Sequence, residues 1–113
     1  MPLTRDFRIT VQERVKRSAT FRRELLRAGV ECLVSGDLET GKDVLRDYIN
    51  ATVGFGKLGE VTRRSPKSLM RMFGPGGNPQ ARNLLAVVAY LQQQEKIRFV
   101  VKSEKVRAVR AVA

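Results

Sequence analysis

Glycine and proline residues divide the chain into short segments, and this division limits the fold more than any other feature of the sequence. The breaks lie at Gly36, Gly54, Gly56, Ser65-Pro66 and Gly74-Pro75-Gly76-Gly77. Between them apolar residues recur at spacings of three and four, which places side chains on one face of a helix. The pattern predicts an all-α fold, a bundle of helices. Residues 97–101 are β-branched and aromatic, and they are a candidate for a short C-terminal β-strand.

Capping residues mark where several helices should begin. We expect Ser18 or Thr20 to cap the second helix and Asp37 the third, because a side-chain oxygen there can accept a bond from a free backbone N–H. Ser65-Pro66 and Asn78-Pro79 each join a cap to a proline, whose missing N–H costs nothing in the first turn. The expected buried residues are Val11, Val15, Phe21, Leu25, Ala28, Cys32, Leu33, Leu45, Tyr48, Ile49, Leu58, Val61, Leu69, either Met72 or Phe73, Leu84, Leu85, Val88 and Leu91.

Positive charge dominates the chain and is unevenly placed. The 113 residues include 22 Lys+Arg and 11 Asp+Glu, which gives a net charge of +11. Residues 37–53 carry a net −2, whereas residues 61–94 contain no carboxylate. A stretch of this length without an acid suits contact with a polyanion. Charge alone fits equally well a solvated basic face that has no partner.

Composition excludes several kinds of chemistry. The chain has no histidine, which excludes His-dependent acid–base catalysis, Ser-His or Cys-His nucleophile pairs and His-ligated metals. Its single cysteine, Cys32, cannot form an internal disulfide, and its place on an apolar helix face favours a core position. The acids of residues 37–47 are spread around a helix and its cap. We therefore expect no enzymatic activity, no cofactor and no metal site.

Two phosphate-binding patterns occur without the context that they need. Residues 36–42 have the spacing of a nucleotide-binding P-loop, but the preceding segment is helical and Asp43 replaces the magnesium-binding hydroxyl. Residues 54–59 match a dinucleotide fingerprint, but no strand precedes them and the acid expected about 20 residues later is missing. Neither pattern predicts a nucleotide site.

No stretch of the sequence resembles a membrane or targeting segment. No run approaches the ~18 apolar residues that a membrane helix needs. Residues 1–7 are mixed and charged, with no apolar core of signal-peptide length. We expect a cytoplasmic protein.

The segment 54–91 has the layout of a helix-turn-helix. A short helix containing Leu58-Gly59 precedes a brief turn and a second helix capped by Ser65, and a third helix follows the glycine-rich loop. The second helix would enter the major groove, where bases would be contacted by Pro66, Lys67, Ser68, Met70 and Arg71. Contacts to DNA phosphates are expected from Arg63, Arg64, Gln80 and Arg82.

Residues 54–91 resemble the Cro/repressor-like (XRE-type) helix-turn-helix domain. Over residues 3–94 the chain also resembles the addiction-module antidote family, relatives of the HigA-type antitoxins, in LTRDF (3–7), LRDYINATVGF (45–55), PKSLMRM (66–72) and GNP (77–79). The resemblance implies an all-helical protein that binds a RelE/ParE-like toxin and represses the operon they share. Phe55 departs from the Cro-like pattern, in which a phosphate-binding glutamine often stands at this position.

These observations divide the chain into N-terminal helices (1–53), a helix-turn-helix region (54–94) and a basic strand or tail (95–113), within one compact domain. The expected function is that of a sequence-specific regulator that binds double-stranded DNA as a homodimer and neutralises a toxin. Alternatives are a toxin-binding module that does not bind DNA, and a repressor without a toxin partner. Binding to RNA or to an anionic membrane is disfavoured, because the chain has only 5 Phe and 2 Tyr and no strongly amphipathic basic helix.

Overall fold

Six α-helices form the regular structure of residues 5–106, which are the residues that the computed structural model describes. They are α1 (Arg5–Arg17), α2 (Ala19–Val34), α3 (Leu38–Ala51), α4 (Gly54–Thr62), α5 (Pro66–Met72) and α6 (Ala81–Glu95). The predicted all-α fold is confirmed. No helix within these residues is long and apolar enough to cross a membrane.

Most helices begin and end at the capping residues and glycines expected from the sequence. Ser18, rather than Thr20, caps α2 by accepting a bond from the Phe21 N–H at 3.1 Å. The Asp37 carboxylate caps α3 in the same way. Gly36 lies between the two helices with φ +94°, a left-handed conformation that favours glycine.

The predicted start of α6 at Asn78-Pro79 is wrong. The helix begins at Ala81, and Gln80 takes the cap position in an extended conformation without a side-chain cap bond. Lys42 holds the preceding loop by a hydrogen bond to the Gly77 carbonyl. Residues 78–80 then connect this fixed point to the first turn of α6.

One main hydrophobic core is formed by residues of the five helices α2, α3, α4, α5 and α6. Its buried residues are Leu26, Leu45, Tyr48, Ile49, Phe55, Leu58, Leu69, Phe73, Val87, Val88 and Leu91. A smaller cluster of Val11, Val15 and Ala51 fixes α1 against α3. The core therefore includes residues from both α4 and α5, so the helix-turn-helix is part of the body of the protein.

Some predictions of buried residues are wrong. Ala28, Val61 and Leu85 are exposed, and Cys32 is half-buried rather than in the core. Helix α2 instead buries Leu26 and Gly29. Its buried face is shifted because Gly29 allows α3 to approach closely: a Cβ at this position would lie 2.9 Å from Leu45 Cδ2.

A buried polar cluster ties the end of α6 to α2 and α3. The Glu95 carboxylate accepts bonds from Arg22 Nε at 2.6 Å and from the Tyr48 hydroxyl. Arg23 adds a longer ion pair to the same carboxylate, at 3.9 Å. Burial, reinforced by the bond to Glu95, raises the pKa of the Tyr48 hydroxyl far above its usual range.

The expected strand at residues 97–101 is not formed in the single chain. Ile97 and Phe99 pack against the core, and the Phe99 N–H donates to Gln92 Oε1 at 2.8 Å. A strand needs a hydrogen-bonded neighbour, and residues 5–106 offer none, since they contain no other strand. The remainder of the predicted basic tail, residues 107–113, lies outside the described residues, and the division at 53 and 94 stays a prediction.

The Tyr48–Glu95 bond should measurably stabilise the fold. We expect Tyr48→Phe to lower the free energy of unfolding at neutral pH by about 1.5–3 kcal/mol, because a buried carboxylate loses a donor. Tyr90→Phe is the matched control, since the Tyr90 hydroxyl makes no hydrogen bond within residues 5–106.

The same bond should make stability depend on alkaline pH. The pKa of Tyr48 is raised by folding, so its contribution is present below the unfolded value of about 10 and falls as pH rises above it. Urea unfolding across this range should show a loss of stability that is smaller in Tyr48→Phe. Equal losses in the two proteins would contradict the assigned bond.

Candidate nucleic-acid interface

Helices α4 and α5 are joined by a tight turn of three residues, 63–65. Gly59 makes the close approach possible, because a Cβ there would lie only 2.6 Å from the Arg64 carbonyl oxygen. The Arg64 N–H donates to the Gly59 carbonyl at 3.0 Å, and Arg63 ends α4 in a left-handed conformation with φ +57°. The absence of a side chain at Gly59 thus lets the backbone of the turn lie directly against α4.

Helix α5 is fixed at its start by a side-chain cap and along its inner face by the core. Ser65 Oγ accepts a bond from the Ser68 N–H at 3.1 Å, and Pro66 occupies the first helical position. Leu69 and Phe73 are fully buried, and the Phe73 ring lies 6.2 Å from that of Phe55. These contacts leave the opposite side of α5 on the surface.

The residues predicted to contact bases lie mostly on that exposed side. Lys67 and Arg71 are exposed and make no ion pair within residues 5–106. Pro66 and Met70 are exposed beside them, whereas Ser68 is half-buried, and its backbone N–H is used by the cap.

The residues predicted to contact phosphates lie in the turn before α5 and at the start of α6, and Arg64 and Arg82 line one shared pocket. Arg63 and Arg64 lie in the turn, and Gln80 and Arg82 lie at the start of α6; all four are exposed. Arg64 donates to the Asn83 side-chain oxygen, which links the turn to α6. Arg63 and Arg82 have no carboxylate partner within the described part of the chain.

The ion pairs of the described residues are concentrated elsewhere. They are Arg8–Asp47, Arg22–Glu95, Arg23–Glu95, Arg27–Glu24, Arg27–Glu31, Lys42–Glu39, Arg46–Asp43 and Lys57–Glu60. Only the last lies in the helix-turn-helix, on α4. Every basic side chain on α2 and α3 is thus paired with an acid, whereas those around α5 are not.

Sequence reasoning missed two basic residues that position this surface. Lys42 on α3 is 1% exposed, and its Nζ donates to the carbonyls of Gly74 at 3.0 Å and Gly77 at 2.7 Å. Arg46, one turn further along α3, donates to the Phe73 carbonyl at 3.3 Å. Their positive charges face carbonyls at the carboxyl end of α5, where cations stabilise a helix. The sequence does contain one indication of a buried lysine, since Lys42 follows Gly41 on the apolar face of an amphipathic helix.

The loop after α5 also depends on Gly77. A Cβ at this position would lie 2.2 Å from the Arg71 carbonyl oxygen and 2.8 Å from that of Met72. No side chain fits there, so the loop folds directly back over the end of α5. Lys42 and Gly77 together determine how α6 follows α5.

Neither phosphate-binding pattern forms a nucleotide loop. Residues 38–42 lie in α3, and the Lys42 ammonium is occupied by carbonyls and by Glu39 at 2.9 Å. Residues 54–59 lie in α4. Within residues 5–106 no group of three or more His, Cys, Asp or Glu side chains could hold a metal ion.

The chain has no match among protein-family models, curated proteins or solved structures.

Lys42 should contribute to stability and Lys67 should not. We expect Lys42→Met to lower the free energy of unfolding by about 2–3 kcal/mol, because two loop carbonyls lose a charged donor. Lys67→Met makes the same chemical change on the surface and should stay within about 0.5 kcal/mol of the parent. Urea unfolding measures both. An unchanged stability for Lys42→Met would contradict the assigned role of its ammonium.

Proposed function

We propose that this protein is a cytoplasmic, sequence-specific regulator that binds double-stranded DNA as a homodimer through α4 and α5. The observation that carries the proposal is the set of unpaired cations around a capped surface helix. Lys67 and Arg71 on α5, with Arg63 before it and Arg82 after it, have no carboxylate partner within residues 5–106. No catalytic activity is part of the proposal.

The geometry of α5 suits reading DNA in the major groove. Its buried side is fixed by Leu69, so rotation of the helix would break core contacts. Lys67 and Arg71 are one helical turn apart on the surface, and both can donate to the acceptors of guanine. Arg63 lies in the turn before the helix and Arg82 at the start of α6, where contacts to DNA phosphates would set the register of α5.

Unpaired cations also favour DNA over a mere solvated face, because counterions released from DNA phosphates drive binding. Cations already paired with acids gain less from a phosphate, since an existing ion pair has to be broken. The paired residues of α1 to α3 are therefore poor candidates for the interface. This difference separates the proposed surface from the paired cations of α2 and α3.

The antitoxin role is the finer part of the proposal and is supported by the sequence resemblance. Of the segments that carry it, residues 45–55 run from the second half of α3 to the start of α4, residues 66–72 form α5, and residues 77–79 lie in the loop that follows α5. The toxin would be of the RelE/ParE-like kind. DNA binding and toxin binding are separable properties, so each has its own experiment.

DNA binding is tested with a duplex from the protein's own promoter and a scrambled duplex of equal composition. We expect tight binding to the promoter duplex, weaker binding to the scrambled one, and loss of the preference in Lys67→Ala plus Arg71→Ala. Each lost base contact should cost about 1–3 kcal/mol of discrimination. Fluorescence anisotropy at fixed salt measures the affinities.

The matched control for that experiment is Lys16→Ala plus Arg17→Ala. It removes the same two charges from exposed positions of α1 that make no ion pair within the described residues. It should retain the preference for the promoter. A Lys67/Arg71 variant that bound promoter DNA as tightly as the parent would show that the groove assignment is wrong.

Toxin binding is tested by co-expression with the product of the neighbouring gene. We expect the two proteins to co-purify as a stable complex and growth inhibition by the toxin to be relieved. A stable complex together with no promoter binding would favour a toxin-binding module. Promoter binding without a complex would favour a repressor that has no toxin partner.

A further inference from the structure

The segment after α6 exposes an unusual amount of apolar surface. Val100, Val101 and Val106 are 78%, 98% and 70% exposed, and Val34 on the adjoining end of α2 is 84% exposed. Between α2 and this segment lies a groove of about 330 Å³ lined in part by Val30, Val34, Val100 and Val101. Three of the nine large exposed hydrophobic residues of the described chain, Val34, Val100 and Val101, thus line one groove.

The same segment has free backbone groups. Ile97 and Phe99 each donate a backbone N–H to Gln92, and their side chains pack on the core. From residue 100 to residue 106 no backbone hydrogen bond is made within residues 5–106. β-branched residues with unpaired backbone groups are the features of an exposed edge that accepts another strand.

We infer that residues 97–105 pair in antiparallel fashion with the same residues of a second copy of this chain, with Val101 on the two-fold axis. The inference rests on the homodimer of the proposed function and states which surface forms it. A lone two-stranded ribbon is marginally stable, but here each strand would be anchored by Ile97 and Phe99 and would cover the groove beside Val34. Two copies would therefore bury each other's exposed valines.

Charge complementarity selects this register. With Val101 opposite its own copy, Arg98 of each chain lies directly opposite Glu104 of the other. Neither residue makes an ion pair within residues 5–106, and opposite charges at facing positions stabilise a strand pair. The facing partners of Lys102 and Lys105 are Val100 and Ile97.

Neighbouring registers are less favourable because each brings two cations opposite one another. A shift by one residue in either direction places Lys105 opposite Lys96 or Arg98. A shift by two places Lys102 opposite Arg98 or opposite its own copy. Like charges at facing positions destabilise a strand pair, so the register centred on Val101 is the one this sequence favours.

A charge exchange tests both the partner and the register. In Arg98→Glu each homodimer would hold two pairs of facing carboxylates, and in Glu104→Arg two pairs of facing guanidinium groups. We expect each single variant to dimerise at least about tenfold more weakly than the parent. An equal mixture of the two variants should form heterodimers, because both facing pairs are then Arg–Glu pairs, one of them with its signs reversed.

Lys102→Glu is the matched control, since it makes the same change of charge within the segment at a position that faces Val100. It should affect dimerisation much less than Arg98→Glu. Sedimentation velocity over a hundredfold range of concentration measures the dimers, and native mass spectrometry measures the heterodimer. A monomeric parent, or a mixture without preferential heterodimers, would overturn the inference.

Cross-linking provides an independent readout. In a chain with Cys32→Ser, Val101→Cys should form a disulfide-linked dimer readily, because facing α-carbons in an antiparallel pair lie within disulfide range. Val106→Cys is the control, since its two copies would be about 30 Å apart. Equal cross-linking at the two positions would overturn the register.

The outcomes also separate this inference from the proposed function. Promoter binding by a chain that stays monomeric would refute the dimer, here and in the proposed function, and would leave the assignment of DNA binding to α5 standing. A dimer with the stated charge pattern that did not prefer promoter DNA would refute the regulator alone.

Discussion

The buried ammonium of Lys42 is the interaction on which the arrangement of the surface helices depends. It lies in the interior of α3 and is held by the carbonyls of Gly74 and Gly77, so it fixes the loop that leads from α5 to α6. A charge at 1% exposure is costly unless it is fully hydrogen-bonded. The loop therefore cannot move away from α3 without leaving that charge unpaired. This constraint, with the absence of a side chain at Gly77, determines where α6 begins and how α5 is presented.

The basic residues of this protein are of two kinds, those that bind other groups of the fold and those that remain unpaired on its surface. Arg22, Arg46 and Lys42 are used inside the fold, where they bind Glu95, Asp43 and backbone carbonyls. The cations around α5 have no such partners, since residues 61–94 contain no carboxylate. The net charge of +11 is thus a poor guide to function by itself. What distinguishes the cations of the proposed interface from those of α2 and α3 is that they remain unpaired after folding.

The sequence predicted those features that depend on neighbours along the chain. The caps at Asp37 and Ser65 are local, and a carboxylate or hydroxyl placed before a helix predicts each of them, whereas for α2 the sequence leaves Ser18 and Thr20 as alternatives. Contacts between distant residues were not predictable in this way. The sequence does not show that Lys42 would reach Gly77 or that Tyr48 would bind Glu95, which lie 35 and 47 residues apart. The expected core positions of Val61 and Leu85 were wrong for the same reason, because a helical period defines a face but not which helix covers it. The residues of the candidate site could be predicted because they are close together in the sequence, between residues 63 and 82.

The central claim is that the exposed side of α5 contacts DNA, and the most direct measurement is backbone NMR during titration with the promoter duplex. The account predicts that the largest shift changes occur at the amides of residues 63–71 and at the start of α6. Amides of α1 and α2 should change little, and a scrambled duplex should give smaller and more dispersed changes. Changes centred on α1 to α3, or identical changes with both duplexes, would contradict the account.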